Sequence, residues 1–162
     1  MSTIMHLPLD GKEVMAWVKE LEPKHRNIYR VVFHTEYENV FYKDVENGRW
    51  IERDLGYTNL AEQIGKRISH RFDNHIHVPK LLQWHNEFAK GKIFRFGFIS
   101  FFDGEQRCHE VYDESKRYLY TLIEAQNGTW EMLGNTDYVL GNTDHYFLDE
   151  VIRALSVYSE NT

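Results

Sequence analysis

The sequence predicts an α+β protein, a tandem duplication of a helix–three-strand–helix unit with antiparallel sheet packed by helices. Three observations point there. All four tryptophans fall into two matched pairs. Trp17 opens Trp17-Val18-Lys19-Glu20-Leu21 as Trp84 opens Trp84-His85-Asn86-Glu87-Phe88, and Trp50 follows Asn47-Gly48-Arg49 as Trp130 follows Asn127-Gly128-Thr129. Between the members of each pair runs an apolar, β-branched or aromatic segment, Ile28 to Phe33 and then Ile93 to Phe98. After each Asn-Gly comes a helix-like stretch, Leu60 to Ile64 and Leu148 to Ile152. Four features in one order, using every tryptophan, outweigh coincidence. A repeat implies units related by an approximate two-fold, each burying helix faces against sheet. The first unit is expected over 1–74 and the second over 75–162. The second carries two insertions, 103–116 and 134–145, and the whole forms one compact domain.

Taken in order, Asp10 and Glu13 suggest a helix cap, and Val14, Trp17, Val18 and Leu21 recur at helical spacing until Pro23. Strands are expected over Ile28–Thr35, Tyr37–Val45 and Arg49–Leu55, with Asn47-Gly48 as a hairpin turn because both residues tolerate positive φ. Thr58 is a good N-cap for a helix with Leu60, Ala61, Ile64 and Ile68 on its buried face, reaching about Phe72. In the second half Pro79 suits a first helical position, and Leu81, Leu82, Trp84 and Phe88 make a stripe ending at Gly91. Strands follow at Ile93–Phe102, Arg117–Glu124 and Thr129–Leu133. A last helix runs from about Thr143 to Tyr158 on Phe147, Val151, Ile152 and Leu155.

Composition narrows the classes of function. The chain has 162 residues, 42% of them hydrophobic and 15% aromatic, ample for a core. Nineteen basic residues against 25 acidic give a net charge of −6, which disfavours nucleic acid and anionic membranes as partners. A single cysteine, Cys108, excludes an intrachain disulfide and suits a reducing cytoplasm. No signal-like N-terminus occurs, and no apolar run approaches the roughly 20 residues that cross a bilayer. The helix–three-strand–helix order resembles that of double-stranded-RNA-binding domains. Where those domains carry lysines, at the start of the last helix, this chain has Asn59 to Glu62 and Asp144 to Glu150, acidic in both halves.

Nine histidines include a group at His70, His75, His77 and His85. His75 and His77 project to one side of an extended segment, a spacing used by zinc and iron sites, with His85, His70 or Asp73 to complete a shell. The competing account has His70 favouring the carbonyl end of the preceding helix and the others serving as linker polar residues. Cys108 lies beside His109, but a nucleophilic thiol needs a base near it in space, not in sequence. The repeated Gly-Asn-Thr-Asp at 134–137 and 141–144 reads as two Asx-type turns. Phosphate loops, nucleophile elbows and His-Glu-x-x-His are all absent.

Absence of a catalytic constellation, an acidic balance and abundant aromatics together predict a non-enzymatic protein that binds a protein partner, as an inhibitor, immunity-type protein or adaptor. The contact surface is expected where the second unit departs from the first, at Tyr112, Asp113, Glu114, Asp137, Tyr138 and Asp144. No cofactor is expected. The alternative is a metal-dependent enzyme at the cluster of His70, His75, His77 and His85, with His75, His77 and His85 as the metal ligands; a third reading is a small-molecule binder between the units.

Overall fold

The computed structural model describes residues 2–21, 28–72, 77–133 and 147–160. The chain divides into two compact units, Met1–Pro79 and Lys80–Thr162. Among the described residues each contains a five-stranded antiparallel meander followed by one helix, an α+β arrangement. In the first unit β1 (Ser2–Leu9), β2 (Lys12–Glu20), β3 (Ile28–Phe33), β4 (Glu38–Lys43) and β5 (Trp50–Glu52) lie side by side in chain order, and α1 (Asn59–Phe72) follows. The second unit has β6 (Gln83–Ala89), β7 (Lys92–Asp103), β8 (Gln106–Tyr112), β9 (Tyr118–Glu124), β10 (Trp130–Leu133) and α2 (Phe147–Glu160).

Two expected helices are strands. The segment from Asp10 to Leu21 carries β2, and that from Pro79 to Gly91 carries β6. In β2 the alternate residues Val14, Ala16 and Val18 pack toward α1, so the spacing taken for a helical stripe is a period of two with an apolar second face. Asp10 is not a helix cap. Asp10 and Gly11 form a turn with φ of 50° and 77°, and Lys90 and Gly91 form its counterpart at 48° and 78°. These are the primed hairpin conformations that Asn-Gly and Asp-Gly favour. Residues 103–116 are not an insertion, because Asp103 ends β7 and Gln106 to Tyr112 form the third strand of the unit. The other expected insertion, 134–145, lies outside the described residues.

The registers of the two meanders coincide after a shift of 80 residues. Leu9 pairs with Lys12 and Ala89 with Lys92; Val18 pairs with Val31 and Phe98 with Val111; Glu20 pairs with Tyr29 and Ser100 with His109. An irregularity follows at Leu119, where Tyr112 pairs with Tyr118 but Val111 pairs with Tyr120, leaving one extra residue in β9. The next hairpin is shorter by one: Asp44 N–H donates to the carbonyl of Arg49, and Ala125 N–H to that of Thr129. The two changes cancel, so Trp50 and Trp130 both open the fifth strand. Trp17 and Trp84 occupy one rung of the same ladder but opposite strands. Trp17 in β2 faces Ile4, whereas Trp84 in β6 faces Gly97, where a Cβ would meet the indole at 3.2 Å.

Each helix covers one face of its sheet. The first core joins Leu7, Ala16, Val18, Tyr29, Val31, Phe33, Phe41 and Trp50 to Ala61, Ile64 and Ile68 of α1. The second joins Phe96, Phe98, Val111, Tyr120 and Leu122 to Val151 and Leu155 of α2. Thr58 caps α1, accepting the Ala61 N–H at 3.0 Å while its hydroxyl donates to the buried Glu52 carboxylate at 2.8 Å. Glu52 also receives Tyr37 and Asn39, so each carboxylate oxygen has a donor.

Gly65 sets how closely α1 approaches the sheet, since a Cβ there would lie 2.0 Å from the Trp50 indole. On an exposed helix Gly→Ala gains about 1 kcal/mol. Here Gly65→Ala is expected to cost roughly 1–3 kcal/mol through overpacking, read as a lower urea midpoint at unchanged slope. Combining it with Trp50→Leu should recover part of the loss.

Candidate binding groove

The first strand of each unit lies at a sheet edge and turns one row of side chains toward its helix. In β1 that row includes Met5 and Leu7; Leu7 is wholly buried and Met5 packs on the core. The equivalent positions in β6 are His85 and Glu87, both polar and half-buried. Carboxylate and imidazole resist burial without partners, so this row cannot seal against α2 as leucine and methionine seal against α1. A groove of about 460 Å³ results, with Phe98 as floor, Gln83, His85 and Glu87 on the strand side, and Arg153, Val157 and Tyr158 on the helix side.

Its polar groups satisfy one another loosely. The His85 Nε2 lies 2.9 Å from Glu87, Arg153 reaches the other Glu87 oxygen at 3.5 Å, and the His85 ring packs on Phe96 at 5.4 Å. Tyr158 meets Phe98 edge-on at 5.0 Å, while Val157 is 54% exposed. Because β6 ends its sheet, one row of its backbone N–H and C=O groups points away from β7. On the opposite face of the same hairpin Phe88 and Ile93 form an exposed cross-strand pair, and the Arg95 guanidinium sits 4.5 Å over the Trp84 ring.

Beyond Phe98 the helix-facing row of the second sheet holds a hydrogen-bonded polar chain. The Ser100 hydroxyl lies 2.7 Å from His109 Nδ1, and His109 Nε2 lies 3.0 Å from Glu124, which also receives the Ser159 hydroxyl at 3.1 Å. With Glu124 ionised, Nε2 carries the proton and Nδ1 accepts from Ser100. The order serine, histidine, carboxylate is that of acyl-transfer sites. His109, however, has no exposed surface and is flanked by Trp130 at 5.6 Å, so no substrate atom reaches its imidazole. The chain is polar core. The first unit has Glu20, Tyr29 and Lys43 at the same positions, with Tyr29 against Trp50 at 5.9 Å where His109 meets Trp130. Burial lowers the pKa of His109, and the hydrogen bond to Glu124 opposes that shift only in part.

The residues expected at a contact surface are differently placed. Tyr112 is buried, its hydroxyl donating to Glu110 at 2.7 Å. The Asp113 carboxylate is occupied by its own turn, accepting from the N–H groups of Ser115 and Arg117 and from the Arg117 side chain; burial raises its pKa, and Arg117 partly offsets the rise. Glu114 is exposed. Asp137, Tyr138 and Asp144 lie outside the described residues, as do Asp73 and His75. Of the remaining histidines, His70 lies in the last turn of α1, His77 lies over Gly48, where an added Cβ would meet its ring at 3.0 Å, and His85 belongs to the groove. Among the described residues no three His, Cys, Asp or Glu side chains converge as a metal site. Cys108 is buried, and burial raises its pKa away from the thiolate range. No helix among the described residues is long and apolar enough to cross a membrane. No protein-family model, curated protein or solved structure matches the chain.

Acid should weaken the fold through His109. Its folded pKa lies below the ordinary histidine value of about 6.5, so the fold favours the neutral ring. That contribution is fully present above pH 6.5 and shrinks as pH falls below it, when the unfolded chain takes up the proton first. Between pH 7.5 and 5.5 the wild type is expected to lose more Tm than His109→Gln; parallel curves would count against the assignment.

Proposed function

We propose that the chain is a tandem duplication of a five-strand, one-helix unit whose second copy binds an extended segment of a protein partner, without chemistry of its own. Identical strand order and the 80-residue register shift, restored after the Leu119 bulge, support the duplication. The observation that carries the functional reading is the groove between β6 and α2. At positions where the first copy closes its core with Met5 and Leu7, the second has His85 and Glu87 and stays open.

An edge strand beside a helix-walled groove is the geometry of strand addition. The guest's backbone pairs with the free edge, and alternate side chains enter the groove. Val157 and Tyr158 offer apolar contact, and Glu87 offers a carboxylate to a basic side chain. Charge supports a basic guest. The first unit has 11 basic and 12 acidic residues, whereas the second has 8 and 13 and so carries nearly all of the net negative charge. Such a module suits an inhibitor, an immunity-type protein or an adaptor. The exposed Phe88 and Ile93 beside Arg95 and Trp84 extend the surface with residue types frequent at interface hot spots.

Selection of a displayed peptide library on the purified protein tests the reading. Enriched peptides should alternate apolar and basic residues and shift the amide resonances of β6 and α2. Val157→Arg, at an exposed position, should weaken them by about tenfold, roughly 1.4 kcal/mol, with little change in Tm. Selected peptides that perturb other surfaces, or bind Val157→Arg as tightly, would overturn it.

A further inference from the structure

A second concavity lies in the first unit, independent of the groove. It measures about 580 Å³, within the range of roughly 300–1,000 Å³ typical of small-ligand sites, and opens between the β4–β5 hairpin and α1. Three cations line it, Lys43, Arg49 and Lys66, against one acid, Glu62, which lies 3.4 Å from Lys66. The Thr58 hydroxyl and the Asn59 amide at the N-terminal end of α1, with the Ser69 hydroxyl farther along the helix, complete its polar wall.

We propose that this cleft binds a small phosphate-bearing anion, as inorganic phosphate or as the phosphate group of a low-molecular-weight monoester. Gathering three positive side chains around a hollow runs against the net charge of −6 and adds mutual repulsion, which a dianion would relieve. The cations are positioned in advance. The Arg49 guanidinium stacks 4.2 Å over the Tyr57 ring, and Lys43 sits 5.7 Å over Trp50. The Tyr57 hydroxyl donates to the buried Asp44, which fixes the ring beneath Arg49. Thr58 is held by Glu52. Less side-chain freedom is then lost when an anion arrives. Backbone N–H groups at the α1 N-terminus add a favourable field, secondary to the three side chains.

The second unit is an internal control. Where the first has Lys43 and Arg49, the register places Glu124 and Thr129 beside the matching tryptophan. A five-strand, one-helix unit therefore forms without these two cations.

Titration with sodium phosphate, followed by backbone amide resonances and by Tm, against sodium chloride at equal ionic strength, tests the proposal. Phosphate should shift resonances in 43–50 and 57–69 and raise Tm beyond the chloride control. Lys43→Gln with Arg49→Gln should weaken binding at least tenfold. Glu62→Gln, which removes the competing carboxylate, should tighten it several-fold, a gain that misfolding cannot mimic. Lys92→Gln, in the second unit, should leave it unchanged. Phenyl phosphate as a parallel probe distinguishes a monoester from the free ion: tighter binding than inorganic phosphate assigns the monoester, equal binding the ion. Equal responses to phosphate and chloride, or an undiminished response in the double variant, would overturn the proposal.

Discussion

Both units depend on one packing arrangement, an indole at the start of the fifth strand held between a ring of the third strand and the covering helix. In the first unit the arrangement is apolar and tight. Trp50 meets Tyr29, Tyr29 meets Phe72 at 5.7 Å, and Gly65 removes the side chain that would push α1 away. Short fifth strands contribute few ladder hydrogen bonds, three residues in one unit and four in the other. Burial of a large ring is therefore what fastens the end of the first meander, while Trp130 packs half-buried against the second core. The hairpin turns and caps position this contact without replacing it.

The second unit keeps the indole and changes what surrounds it. His109 takes the tyrosine position and brings hydrogen-bonding needs that Ser100 and Glu124 satisfy. A buried imidazole without those partners would cost more than the ring contact returns, so the three residues form one unit of exchange. On the edge strand the exchange went further, from aliphatic to charged. There the partners are incomplete, and the surface opens. The same strand order thus accompanies a sealed core in one unit and a recess in the other, and the edge-strand side chains mark the difference.

Much of the fold was legible. Asn47-Gly48, Asn127-Gly128, the Thr58 cap and the apolar face of α1 all occupy the elements that local chemistry requires of them. The missed first strands had an equally local signal, Asp10-Gly11, a two-residue turn with positive φ at both positions. It was obscured because β2 is apolar on both faces. Residues at 14, 17, 18 and 21 then satisfy a period of 3.6 as well as one of two. The tryptophan pairing was half readable. Trp50 and Trp130 are true equivalents, but Trp17 and Trp84 share a rung across two strands, and adjacency across a ladder leaves no mark in linear order. The groove was unreadable for a related reason. His85 and Glu87 announce nothing until β6 is known to be an edge strand with a helix beside it. The polar chain of Ser100, His109 and Glu124 likewise spans three strands, and only the register joins them.

The meander leaves four outer strands, and they are unequal as templates. β5 and β10 are too short to recruit much, and β1 carries Pro8, which lacks the amide proton that a continuous intermolecular ladder would use. β6 has seven residues and no proline. A chain with one competent edge terminates growth as soon as that edge is covered, so a guest strand, or a second copy, closes the assembly at a single addition. Filament formation needs two such edges per molecule, and among the described residues β6 is the one long outer strand without proline.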